Sequence, residues 1–231
     1  MSTVSWEQYS QMVSNVNIFK AKNKRNPNTV TIPEITKPKP GIAVLEYSCS
    51  NWNQRNFPKS NSVDYSKYKK YSAYVCGNTA FANLLKCLKM TNWTYDEIVK
   101  TTIPLFNTRV GIGTVPPDFT YGVQKTLAKY YPDYRLVTTP FDRKNFIKTL
   151  YELLKKSPVI VNLETDKTIG YNNRYGHYSL VSGVDKDKGL VKFLDSNHIP
   201  GIPAPKWYKA DVIARLIEMH GKRPLWTIVK K

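Results

Sequence analysis

Residues 176 to 197 read GHYSLVSGVDKDKGLVKFLDSN, two β-rich runs on either side of one polar loop. No other stretch narrows the fold as much. HYSLVSGV and LVKFLD suit strands, and DKDKG between them is turn chemistry, so together they predict an antiparallel hairpin. Folded about Lys186–Asp187, the hairpin sets His177 across from residues 195 to 197. Asp195 or Asn197 can then reach one ring nitrogen of His177. The other nitrogen is left to take a proton from a nucleophile.

The hairpin needs partners. PVIVNLE (158 to 164) and PLWTIVKK at the end read as further strands. Helices are expected before and between them. In AYVCGNTAFANLL a helix begins near Cys76 and buries Ala80, Phe81, Leu84, Leu85 and Leu88. MTNWTYDEIVKTTI predicts a second helix, capped by Thr94 with Glu97 three residues on. GIGTVPPDFTYGVQKTLAKYY holds a turn and then a helix through Val123, Leu127 and Tyr130. FDRKNFIKTLYELLKKS is amphipathic through Phe146, Leu150, Leu153 and Leu154, and KADVIARLIEMH is a last helix. Helices come first and strands later. That is an α+β order, not a repeated βαβ one. Residues 42 to 75 show little periodicity and read as loop with short extended pieces.

The N-terminal stretch stands apart. Trp6, Tyr9, Met12, Val13, Val16 and Phe19 draw one helical stripe, RNPN breaks it, and TVTI (29 to 32) alternates as a short strand. This piece is too small to fold alone, so it must dock on the main domain or on a partner. PEITKPKPG (33 to 41) is a semi-rigid linker. The expected organisation is a small module at 1–35 and one main domain at 36–231.

Charge and cysteine usage bound the function. Thirty-five Lys+Arg against 17 Asp+Glu give a net charge of +18, which favours polyanionic partners. The basic residues are spread along the chain and lysine dominates. This indicates a general surface bias, not a dedicated nucleic-acid groove, and no specific nucleic-acid partner is expected. Three cysteines, Cys49, Cys76 and Cys87, are too few and scattered for a disulfide framework and lack CxxC zinc spacing. Because three is odd, at least one thiol stays free unless chains are cross-linked. No metal-ligand pattern is read around His198 or His220, and GIG (111 to 113) lacks the context of a phosphate cradle, so neither metal nor cofactor is expected. MSTVSWEQYSQM has no basic and apolar signal regions, and no apolar run approaches the ~18 residues of a bilayer span. The expected location is the cytoplasm until lysis, or a virus particle, with action on an extracellular wall.

Cys76 carries the functional reading. Alone, a cysteine ahead of an apolar helix is ordinarily a core residue. At a helix N-terminus, unpaired backbone N–H groups and the dipole favour a thiolate. A Cys at a helix start, followed about a hundred residues later by His and Asp on facing strands, has the order of a papain-like hydrolase.

These residues resemble the papain-like superfamily, specifically the bacteriocin-leader-processing peptidases and their stand-alone relatives. YVCGNTAFANLL is similar to their nucleophile block, and GIGTVPPDFTYGVQKTL to their middle segment. LLKKSPVIVNL, GHYSLVSGVD and FLDSN are similar to their strand, histidine and aspartate blocks. The resemblance covers about 73 to 197 and implies a papain-like fold with Cys76 as nucleophile, His177 as base and Asp195 as orienter. In those families a Gln about six residues before the Cys lends a side chain to the oxyanion hole. Here that position is Lys70, and the resemblance transfers the role to Gln54, in NWNQRN, through a longer loop. The Cys76 backbone N–H supplies one donor in any case.

WEQYSQMVSNVNIFKAKNKRNPNTVTI resembles one pseudomurein-binding repeat, through Tyr9, Met12, Val16, Phe19, Arg25, Pro27 and the run Val30-Thr31-Ile32. Such a repeat ahead of a Cys-His-Asp peptidase is the layout of the pseudomurein endopeptidases of methanogens and their viruses. The resemblance implies cleavage of the isopeptide bond between Ala and Lys in wall peptide bridges, through a thioester. Pseudomurein is then the partner as substrate, and other virion or lysis proteins are further expected partners. Two rivals use the same fold. One is a non-catalytic wall-binding or virion structural protein, to which the missing Gln at position 70 lends support. The other is an acyltransferase with the same triad.

Overall fold

A computed structural model describes residues 44–49, 52–58, 63–197 and 205–231. The expected N-terminal helix, strand and linker, and His198, lie outside the described residues. The chain divides into two compact units, 1–42 and 43–231. The second carries all that follows.

Seven strands form one antiparallel sheet among the described residues: β1 (Val44–Glu46), β2 (Tyr134–Thr139), β3 (Val159–Glu164), β4 (Gly176–Asp185), β5 (Leu190–Leu194), β6 (Lys206–Lys209) and β7 (Leu225–Lys230). Their order is β2-β7-β3-β4-β5-β6, and β1 pairs with the far end of β4. The expected hairpin is β4–β5. The helices are α1 (Cys76–Cys87), α2 (Tyr95–Leu105), α3 (Pro116–Tyr130), α4 (Phe146–Leu154) and α5 (Ala210–Met219). The α+β class and the helices-first order are as expected.

Both faces of the sheet are covered. Phe81, Leu84, Ile98, Phe106, Phe119 and Val123 of α1–α3 and the segment between them pack on Ile160, Tyr178, Leu180 and Trp226. Phe146, Leu150, Ile213 and Ile217 of α4 and α5 pack on Val159, Val161, Val181 and Val184. In β4, Tyr178 and Leu180 face the first layer. A register shift between Val181 and Gly183 then moves Val184 to the second layer. That bulge changes the parity of the strand.

α1 is buried on every side, with residues 77 to 85 all inaccessible and Leu88 only half-buried. Its three buried polar side chains are therefore paired. Asn78 Nδ2 donates to Thr102 Oγ1 at 2.9 Å and Asn78 Oδ1 accepts from Thr108 Oγ1 at 3.0 Å. Thr79 Oγ1 shares a hydrogen bond with the Tyr95 hydroxyl at 2.7 Å. Asn83 Oδ1 accepts from Trp52 N at 2.8 Å, and its Nδ2 donates to Trp52 O at 3.1 Å. Buried polar groups left unpaired would cost more than they return, so these bonds fix α1 in one register. α2 carries the expected capping box of Thr94 and Glu97.

The stretch 42 to 75 differs in detail from an open loop. It holds β1, helical turns at Gln54–Asn56, Val63–Ser66 and Lys69–Tyr71, and a disulfide from Cys49 to Cys87 at the end of α1. Cys76 is the free cysteine. No helix among the described residues is long and apolar enough to cross a membrane.

Candidate active site

Cys76 is the first residue of α1. Val75 precedes it and offers no side-chain cap, so the first-turn N–H groups are not taken by a cap side chain. The Tyr178 and Gly77 backbone groups hydrogen-bond the sulfur, as does the His177 side chain. Burial pushes the thiol up, but the His177 hydrogen bond and charge, with the two backbone bonds, outweigh it. The Cys76 pKa lies below the ordinary value.

His177 is buried at the start of β4, opposite Leu163 of β3. Its Nε2 lies 2.7 Å from Asp195 Oδ1. Nδ1 is thus the ring nitrogen left for the Cys76 thiol. Burial presses the imidazole toward neutrality. The Asp195 charge and hydrogen bond, then Cys76, overturn that and push its pKa up to about 10. Asp195 is held below the ordinary carboxyl range. Burial raises it, and His177, the Asn197 N–H and Tyr171 together lower it further. The arrangement favours a thiolate beside an imidazolium, with an ionised carboxylate behind.

The hairpin left Asp195 and Asn197 as alternatives, and the structure separates them. Asp195 takes His177, whereas Asn197 Oδ1 accepts from Arg55 Nε at 2.7 Å. The Asn197 backbone N–H returns to Asp195 Oδ1 at 2.8 Å. Tyr171 is a participant that sequence reasoning missed. Its hydroxyl donates to Asp195 Oδ2 at 2.7 Å and lies 3.3 Å from His177 Nε2. Burial and the adjacent Asp195 keep this phenol protonated, so it serves as donor. Its one signal in TIGYNN is an aromatic six residues ahead of the histidine.

Gln54 is buried and lines the same cavity as Cys76 and His177. Its backbone N–H donates to Ser196 O at 2.8 Å, tying this segment to the Asp195 turn. Its Nε2 lies 3.3 Å from Ala73 O, and Oε1 has no partner. Lys70 is exposed and its ammonium lies 5.6 Å from the Tyr71 ring centre. The cavity measures roughly 740 Å³ and is also bordered by the Gly111–Gly113 turn, with Ile112 exposed at its lip. Gly111 and Gly113 adopt φ of 87° and 81°, so that turn requires glycine. Among the described residues no cluster of three or more His, Cys, Asp or Glu is suited to a metal.

A model of the Peptidase_C39-like family matches residues 44–215. The chain belongs to that family. It is a cysteine peptidase, a hydrolase. The matched span contains Cys76, His177, Asp195 and Gln54. A pseudomurein-binding repeat model matches residues 1–32. No curated protein matches the chain. Among solved structures it is similar to active wild-type interpain A, a cysteine protease of Prevotella intermedia. That similarity is 15% identity over 80% of this chain and 94% of the other, with a TM-score of 0.46.

Proposed function

We propose that this peptidase hydrolyses peptide or isopeptide bonds in the wall peptides of pseudomurein, with Cys76 as nucleophile, His177 as acid and base, and Asp195 as orienter. The observation that carries the reading is the chain of contacts from Cys76 through His177 to Asp195 Oδ1, opening into one cavity. The repeat matched at residues 1–32 supports pseudomurein as the polymer.

The steps follow from the protonation states. Cys76 thiolate attacks the scissile carbonyl, and its oxygen becomes an oxyanion. The Cys76 backbone N–H and Gln54 Nε2 are the donors for that charge. Imidazolium His177 gives its Nδ1 proton to the leaving amine, and a thioester remains on Cys76. Neutral His177 then takes a proton from water, which attacks the thioester and releases the acid. Asp195 keeps the ring oriented through both steps.

Digestion of purified pseudomurein, with bacterial murein as control and mass analysis of the products, tests this. The native chain should release pseudomurein peptides with new amine and carboxylate ends, and Cys76→Ala should release none. Equal release by the variant ends the nucleophile assignment. Release from murein alone ends the substrate assignment.

A further inference from the structure

Among the described residues, five buried side-chain polar atoms lack a hydrogen-bond partner. Four of the five belong to residues lining the Cys76 cavity: Gln54 Oε1, Asn162 Oδ1, the Tyr178 hydroxyl and Arg223 Nε. Buried polar atoms are ordinarily paired, so this concentration marks a wall that a bound molecule completes. Two of the four are donors.

The second observation is charge. Arg55, His177, His220 and Arg223 line the cavity, and no Asp or Glu does. Three of these have partners elsewhere. Arg55 Nε is bonded to Asn197, His177 to Asp195, and His220 Nδ1 lies 3.2 Å from Glu164 Oε2. Arg223 forms no ion pair among the described residues. It is half-buried, in the turn between α5 and β7. A half-buried guanidinium without a counter-charge is costly unless an anion visits it. Tyr178 links it to the chemistry. The backbone of Tyr178 bonds the Cys76 sulfur, and its phenol, kept protonated by burial, feels the charges of Cys76, then Arg223, and of Asp118, which itself pairs with Arg109.

We propose that Arg223, with the Tyr178 hydroxyl as a further donor on the same cavity wall, binds a free carboxylate of the substrate beside the bond that Cys76 attacks. This deepens, and rests on, the proposed peptidase role of the site. A guanidinium presents a planar fork of donors that matches a carboxylate. The chemistry also fits a bridge peptide. A lysine acylated on its ε-amine and followed by no further residue keeps its α-carboxylate on the leaving side, whereas a residue inside a continuous main chain has its carboxyl tied up in the next peptide bond. Carboxylate recognition here selects bonds at such chain ends over bonds within ordinary protein.

The test uses the full chain and two reagents, chloroacetyl-alanine and chloroacetyl-alaninamide. In each, the thiolate displaces chloride from the chloromethyl carbon and a thioether forms. Only the first carries a carboxylate. Cys76 alkylation, read by peptide mass, should run about tenfold faster with the acid than with the amide, relative to a free thiol. Arg223→Gln should remove most of that preference. Arg223→Lys, which keeps charge without the fork, should retain part of it. In parallel, Nε-alanyl-lysine peptides with a free α-carboxylate or an α-carboxamide measure hydrolysis, and Arg223→Gln should raise KM for the carboxylate form alone. An acid-to-amide alkylation ratio equal in the native chain and Arg223→Gln overturns the subsite, even if both peptides are cleaved. A ratio that falls in the variant while neither peptide nor pseudomurein is cleaved upholds the subsite and removes the proposed hydrolysis of wall peptides.

Discussion

His177 stands between opposed effects. Burial favours its neutral form, and Asp195 with the Cys76 thiolate favours the cation. The cation wins, and the pH dependence follows. Cys76 is lowered, so its thiolate forms below the ordinary thiol value of about 8.5. His177 is raised, so its proton persists above the ordinary ~6.5 and is lost near pH 10. The active ion pair exists between those limits. Iodoacetamide labelling of Cys76 should therefore proceed well below pH 8, and hydrolysis should fall on both sides of the window, in acid as the Cys76 thiolate is protonated and near pH 10 as His177 loses its proton. Asp195→Asn removes the main influence that raises His177, so the alkaline limb of kcat/KM should move to lower pH. A limb that stays in place removes Asp195 from the charge balance. The meeting of Cys76, His177 and Asp195 was legible in the sequence because their chain order and the hairpin act jointly. Tyr171 was not. A tyrosine in a loop carries no periodicity, and only the fold brings its hydroxyl to Asp195 Oδ2. Arg223 was one basic residue among many, and only the fold brings it to the cavity wall with its Nε buried and without a partner among the described residues.

At the level of elements, the proposed function assigns the oxyanion role of the missing Gln to Gln54. Gln54 reaches the cavity from a helical turn 22 residues upstream of Cys76. Three ties hold that turn: the Cys49–Cys87 disulfide, the paired bonds between Trp52 and Asn83, and the Gln54 N–H on Ser196 O. Two of them end on α1, the helix that carries Cys76. Asn83→Ala should cost about 2 kcal/mol of stability in urea unfolding, from two lost bonds at a buried site. It should also lower kcat, and its effect should fail to add to that of Gln54→Ala, because both act on the same donor. Full additivity would show that the Asn83 tie does not place Gln54. The elements that sequence reasoning missed are the outer ones. Among the described residues β2 pairs only with β7 and β6 only with β5, and both are largely unburied, so YRLVTT and KWYK lack the apolar run of a strand. β4, by contrast, is buried at nine of its ten positions because helices cover both faces, and its sequence is unmistakable. The Cys49–Cys87 pairing was hidden because the spacing of three cysteines does not say which two meet.

At the scale of the whole molecule, an enzyme with the proposed function must stay on an insoluble substrate while it diffuses. The unit 43–231 contains the cavity, Cys76, His177 and Asp195, while the match to a wall-binding repeat occupies residues 1–32. Under the proposed function these are two attachments to one polymer, the repeat and the active site. Binding through the first raises the effective concentration of wall peptide at the second. The net charge of +18 adds a third, diffuse attraction to any anionic polymer. These contributions separate experimentally because they differ in salt dependence. Diffuse attraction weakens as the Debye length falls from about 10 Å at 0.1 M to about 3 Å at 1 M. Apolar contacts do not weaken in that way. Removal of residues 1–42 should leave hydrolysis of a small soluble isopeptide unchanged. On intact wall at 0.5 M salt, the rate should fall by about tenfold or more, the scale of lost avidity. At low salt the gap between the two forms should narrow, because charge on the remaining unit keeps it on the polymer. A truncated chain that digests wall as fast as the full chain at every salt concentration would remove any retention role for the repeat. It would leave charge alone to hold the enzyme on the wall.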